Sequence, residues 1–209
     1  MIGDVFDFLT PFVLVFMVYR IYLILLPHIG KNSNTLVKSA AVIILIFGAI
    51  SFVEGHGMHL SANAIARHLT SMKDSSLFAL DYSFDEIMGH IFWDSGIIIL
   101  SLGITFVGFH IDPKKLSNMK QALILLASLI YGFTYFVNAV EGQTVFFTLP
   151  MAVAIPLAIW WTANRKSARI SMNPVLYLFL FSHIVALGLF LIWAIWQKGF
   201  PEFSALGWI

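Results

Sequence analysis

Six stretches of this chain are apolar over close to the ~20 residues that a helix needs to cross ~30 Å of hydrocarbon, and little sequence separates them. A backbone in lipid finds no water for its amides, so such stretches must close their own hydrogen bonds as helices. Turn signals at their edges place helices at roughly 5–27, 38–64, 84–110, 120–142, 146–164 and 174–197. Pro27 and Gly30 close the first, Asp112 and Pro113 follow the third, Pro150 lies in the first turns of the fifth, and Asn173-Pro174 opens the sixth. Pro11 and Pro156 fall inside spans, where neighbouring helices can satisfy a freed carbonyl. The expected fold is an all-α integral membrane protein: a single polytopic domain over residues 1–209, built as a bundle of about six transmembrane helices.

Composition excludes the soluble alternatives. Of 209 residues, 59% are hydrophobic and 11% charged, too little polar surface to clothe a water-soluble fold. A net charge of +1 offers no basic excess for nucleic acid, and the absence of Cys removes disulfides, thiolate metal ligands and Cys nucleophiles. Asp4 and Asp7 precede the first apolar run where a secretion leader would carry basic residues, so that run is expected to be retained as a helix.

Lys31 and Lys38 mark the first connection, Lys114, Lys115 and Lys120 the third, and Arg165, Lys166 and Arg169 the fifth, while Glu141 to Pro150 carries neither Lys nor Arg. The positive-inside rule then makes those three connections cytoplasmic and puts both termini on the outer side of a plasma or cytoplasmic membrane. Arg67 and Lys73, in a second connection spanning about 61–84, run against that assignment, although Asp74, Asp81, Asp85 and Glu86 accompany them. Leu60, Ala64, Ile65 and Leu69 share one helical stripe there. The stripe fits a surface-lying segment or a second helix that runs on before turning.

Ionisable residues within apolar helices are costly unless partnered, and they mark function by default. In Glu54-Gly-His-Gly-Met-His59, His56, His59 and Asn63 fall within a narrow arc, and Glu54 joins them only if Gly55 and Gly57 turn it inward. Glu86, His90 and Asp94 repeat every four residues on one face, with Asp85 placed to cap that helix. Tyr131, Thr134, Asn138 and Glu141 form a third polar stripe, and Glu141-Gly142 echoes Glu54-Gly55. At ~1.5 Å per residue from the span ends, the three groups share one depth near the outer interface. His183 falls closer to the midplane and stays outside the site.

The expected site is a divalent metal held by His56, His59, His90 and Glu141, with Glu54, Glu86 and Asp94 as general base, co-ligand or proton carriers. Imidazole and carboxylate without thiolate suit zinc ahead of iron, copper or manganese. Three His with an open fourth position suit a catalytic zinc, which lowers the pKa of bound water to about 7. No G-x-S-x-G elbow, H-E-x-x-H, phosphate-binding loop or dinucleotide fingerprint is present. Three His among membrane helices are similar to the zinc site of the ceramidase- and adiponectin-receptor-like transmembrane hydrolases. That resemblance implies zinc-dependent hydrolysis, yet this chain lacks their late His-x-x-x-His pair and their seventh helix.

The expected function is a membrane-embedded, metal-dependent hydrolase acting on a lipid or other apolar substrate near the outer interface. The alternatives are a non-catalytic subunit of a larger membrane complex such as an oxidoreductase, a homo-oligomeric assembly included, and a small transporter or channel using His183 and Arg20. Clustering of the polar groups at one end ranks the transporter last.

Overall fold

A computed structural model describes residues 2–29, 35–112, 114, 116–165 and 170–208. Gly30, Lys31, Pro113, Lys115, Lys166 and Arg169, part of the turn and charge pattern, lie outside the described residues. Within them the chain is helical and no β-strand forms. The helices are α1 (Ile2–Leu25), α2 (Thr35–Ala66), α3 (Ser76–Tyr82), α4 (His90–Gly108), α5 (Asn118–Glu141), α6 (Val145–Arg165) and α7 (Pro174–Gln197).

Six segments are long and apolar enough to cross a membrane: Phe8–His28, Thr35–Ala66, Ser76–Gly108, Asn118–Glu141, Val145–Arg165 and Pro174–Gln197. The protein is a multi-pass integral membrane protein in contact with the lipid bilayer, and Phe12, Phe16, Phe47, Phe133 and Ile195 expose the apolar area that such contact requires. At one end of the bundle the connections lock together: Ile29 bridges Ile111, Asp112 N donates to His28 O at 3.3 Å, and Lys114 N donates to Met172 O at 2.9 Å.

The third span departs from the expected 84–110. It opens at Ser76, capped by Ser75, whose Oγ accepts from Phe78 N at 3.1 Å. Between α3 and α4 the chain over Ser83–Gly89 winds in wider π-type turns. Of the two readings of the 60–69 stripe, α2 runs on, carrying Leu60, Ala64 and Ile65 through to Ala66, so the connection shrinks to residues 67–75.

One seam organises the site. On α4 and the turn before it, Gly89, Gly96 and Gly103 recur every seven residues, and on the antiparallel α2 so do Leu45, Phe52 and His59. Each bulky α2 residue seats against one glycine: a carbon added at Gly103 would lie 2.8 Å from Leu45 Cδ2, one at Gly96 2.7 Å from Phe52 Cβ, and one at Gly89 3.2 Å from His59 N. The pattern is reciprocal. Gly48 admits Leu100, Gly55 admits the backbone around Trp93, and the buried Ala41 and Ala62 continue the same small-residue series on α2. Lipid offers helices no hydrophobic drive to associate, so close backbone approach at small residues supplies the attraction, and a strict seven-residue period keeps the seam aligned along both helices.

A second pair, α5 with α7, uses the same device once, where Gly132 admits the Ser182 carbonyl and the Val185 side chain. Ser128 Oγ donates to Leu178 O across that pair at 3.1 Å. Asn173 closes the base of the bundle: its Oδ1 accepts from Val175 N and Leu176 N to cap α7, and its Nδ2 donates to Gly108 O at the end of α4 at 2.7 Å.

Candidate functional site

His59 is the last bulky residue of the seam, so its ring is held against the π-type turns that carry Asp85 and Glu86. π winding changes the face on which each residue emerges, and here it buries Asp85. Asn63, one turn beyond His59 on α2, donates from Nδ2 to His59 Nε2 at 3.0 Å and to Asp85 Oδ1 at 3.4 Å. With Nε2 accepting, a neutral His59 carries its proton on Nδ1, which lies 2.7 Å from Asp85 Oδ1, off the axis of the ring N–H. The result is a three-residue polar contact joining the end of α2 to the α3–α4 segment.

His90 stands beside it, its ring centroid 4.7 Å from that of His59 and its Nε2 3.7 Å from Glu86 Oε2. Gly142, just beyond α5, presses on the His90 ring where any side chain would collide with it. Trp93 lies at the middle of the group, with His56 edge-on at 4.5 Å, His59 at 5.5 Å and His90 stacked at 5.8 Å. The indole Nε1 is buried and has no hydrogen-bond partner among the described residues.

The helical wheel therefore brings only part of the expected set together. His59, His90 and Glu86 gather; His56 is instead stacked against Phe52 and set edge-on to the Trp93 indole. Among the described residues no three His, Asp or Glu side chains converge as ligands of one ion. Asp94, one turn beyond His90 on α4, is buried and is taken up by the Thr144 hydroxyl, from which it accepts. Glu141 holds the segment after α7, accepting from Phe203 N at 2.8 Å and Ser204 N at 3.3 Å. Glu54 is exposed on a separate groove of α2 and is not turned inward by its glycines.

Two further members of the α5 stripe are likewise engaged elsewhere, Tyr131 with Ser101 Oγ and Thr134 with the carbonyls of Ile130 and Tyr131. His183 bonds Phe179 O through Nδ1 at 2.7 Å among Tyr131, Tyr135 and Phe179. Sequence reasoning mistook Asp85 for a helix cap, whereas it lies inside the span as the partner of Asn63 and His59. It missed Trp93 altogether. The Gly89, Gly96 and Gly103 series is the signal that would have located both, because it names the face of α4 that meets α2.

Fold and cluster together define a multi-pass membrane protein with a half-buried His–carboxylate cluster at the end of an antiparallel helix pair. Along 96% of its length the chain is similar to the dog (Canis lupus familiaris) protein named Ceroid-lipofuscinosis neuronal protein 6 homolog, at 29% identity over an alignment of 215 residues. The match takes in 65% of that protein, so the chain spans just under two thirds of the relative's length. No protein-family model matches the chain, and no solved structure matches it.

Proposed function

We propose that the protein is a membrane-embedded, metal-dependent enzyme that hydrolyses a lipid or other apolar substrate at the membrane face where α2 ends. The residues that would hold the metal are revised from the sequence reading to His59, His90 and Glu86, whose side chains would have to turn toward one ion, since no three donors converge among the described residues. The supporting observation is that two imidazoles 4.7 Å apart, each beside a carboxylate, meet at one span end. Imidazole and carboxylate donors without thiolate suit zinc, with iron, copper and manganese next. Zinc held there would supply a water acidic enough to attack an ester or amide near neutral pH. The side chains contribute placement: Asn63 and Asp85 fix the His59 ring, and Gly142 and Trp93 fix that of His90. Outer-shell partners of this kind set ring orientation at metal sites.

Elemental analysis of the purified protein tests the reading. About one divalent metal per chain is expected, the stoichiometry of a mononuclear site. It should be lost in His59→Ala and His90→Ala and kept in His56→Ala and Glu141→Ala. Metal-free wild-type protein after zinc loading, or unchanged content in His59→Ala, refutes it.

A second reading draws on Asp85, Asp94 and Glu141, each of which already accepts hydrogen bonds within the chain. In that reading the polar groups knit helices together, and the chain serves as a non-catalytic subunit of a larger membrane assembly or of a homo-oligomer. The same variants would then lower thermal stability with no metal to lose.

A further inference from the structure

Beside the α2–α4 seam, α2 and α3 border a groove of about 490 Å³, within the size range of small-molecule sites. Val53, Ile65 and Phe84 form apolar walls, each partly exposed toward the surrounding lipid. Two carboxylates, Asp81 and Glu54, reach the groove, and no Lys, Arg or His lines it.

Asp81 is only 7% exposed, yet it accepts no hydrogen bond and meets no cation among the described residues. A carboxylate so enclosed is costly unless a partner arrives, and both carboxylates lie within membrane-spanning segments. The partner they lack is cationic. Gly57 also lines the groove, and a carbon added to it meets nothing within 4 Å, so the space there is open.

We propose that this groove binds a long-chain amine, with the ammonium between Asp81 and Glu54 and the alkyl chain along Val53, Ile65 and Phe84. A headgroup that also carries phosphate would set a third anion beside the two carboxylates, which favours a simple amine over a zwitterionic phospholipid. The groove is distinct from the His59–His90 cluster, and the inference does not rest on the metal reading.

The test uses the full chain in maltoside micelles with radiolabelled octadecylamine and, as a neutral control of equal length, octadecanol. Saturable amine binding is expected, with the alcohol and the Asp81→Asn variant each weaker by about thirtyfold, the lower end of what losing one partner of a desolvated charge pair costs. Glu54→Gln should weaken it less, because Glu54 is exposed. Gly57→Leu should abolish it by filling the groove. His59→Ala should bind amine as wild type does, which separates this site from the metal site. Without amine, Asp81→Asn should melt no lower than wild type, since it removes an unpaired buried charge. Equal retention of amine and alcohol overturns the proposal, as does wild-type affinity in Asp81→Asn or Gly57→Leu.

Discussion

Gly55→Ala is the sharpest probe of the seam, because the added carbon meets only backbone: 2.5 Å from Gly89 O and 2.7 Å from Phe92 C, with Trp93 N also in contact. None of these atoms can swing aside as a side-chain tip can. Restoring an ordinary ~3.5 Å contact requires α2 and α4 to part by roughly 1 Å. Overpacking against backbone lies toward the upper end of the usual range, about 3 kcal/mol. Alanine returns about 1 kcal/mol through its better helix propensity, leaving a net loss of about 2 kcal/mol. For a chain of this size that lowers Tm by about 4–8 °C.

Gly57→Ala supplies the control two residues away, since its added carbon meets nothing. It keeps only the propensity gain and should raise Tm by about 2–4 °C. Thermal unfolding in detergent micelles, followed by intrinsic tryptophan emission, reads both. Trp93 sits on the seam and reports its opening. Gly55→Ala melting at or above Gly57→Ala would refute the packing argument.

Replacing Glu141 by Ala should release the segment after α7 and speed amide hydrogen exchange at Phe203 and Ser204 by about tenfold or more, given ~1.5 kcal/mol or above for bonds to a charged acceptor. Asn173→Ala removes the α7 cap and strands Gly108 O, so a loss of about 2 kcal/mol is expected in the same melting assay, whereas Asn173→Asp should restore the cap but not the bond to Gly108. Asn63→Leu leaves His59 Nε2 and Asp85 without their shared donor and should lower stability by about 1–3 kcal/mol; no change would show that the contact carries no weight.

The spans were legible because hydrocarbon imposes length and apolarity on each helix separately, and both properties lie along the chain. The early start at Ser76 was obscured by Asp81, counted with the charged second connection, and by Asp85, taken as the cap of a helix beginning near residue 84. In the structure Asp81 faces the groove, Asp85 takes the Asn63 amide and Glu86 approaches His90. The candidate site was legible only in part for the same reason. A helical wheel assigns His56 and His59 to one arc of α2, but what fills the space between their rings belongs to α4, and Trp93 is there. Asp94 and Glu141 share depth with the imidazoles and find partners in Thr144 and in the chain after α7, contacts that no single-helix pattern contains.

The seven-residue recurrence along both α2 and α4 also creates an ambiguity that the helices must resolve. Sliding one past the other by a single repeat, ~10 Å, would again set bulky residues opposite glycines, so packing alone distinguishes poorly between the offset and the true alignment. His59 and Asn63 meeting Asp85 across the seam breaks that translational degeneracy, because in the arrangement shifted by one repeat Phe52 would stand where an imidazole has to meet a carboxylate. A polar group at one position of a repeating interface is a known way to fix register. Whatever chemistry the cluster performs, it also acts as the key that lets this zipper close in one position.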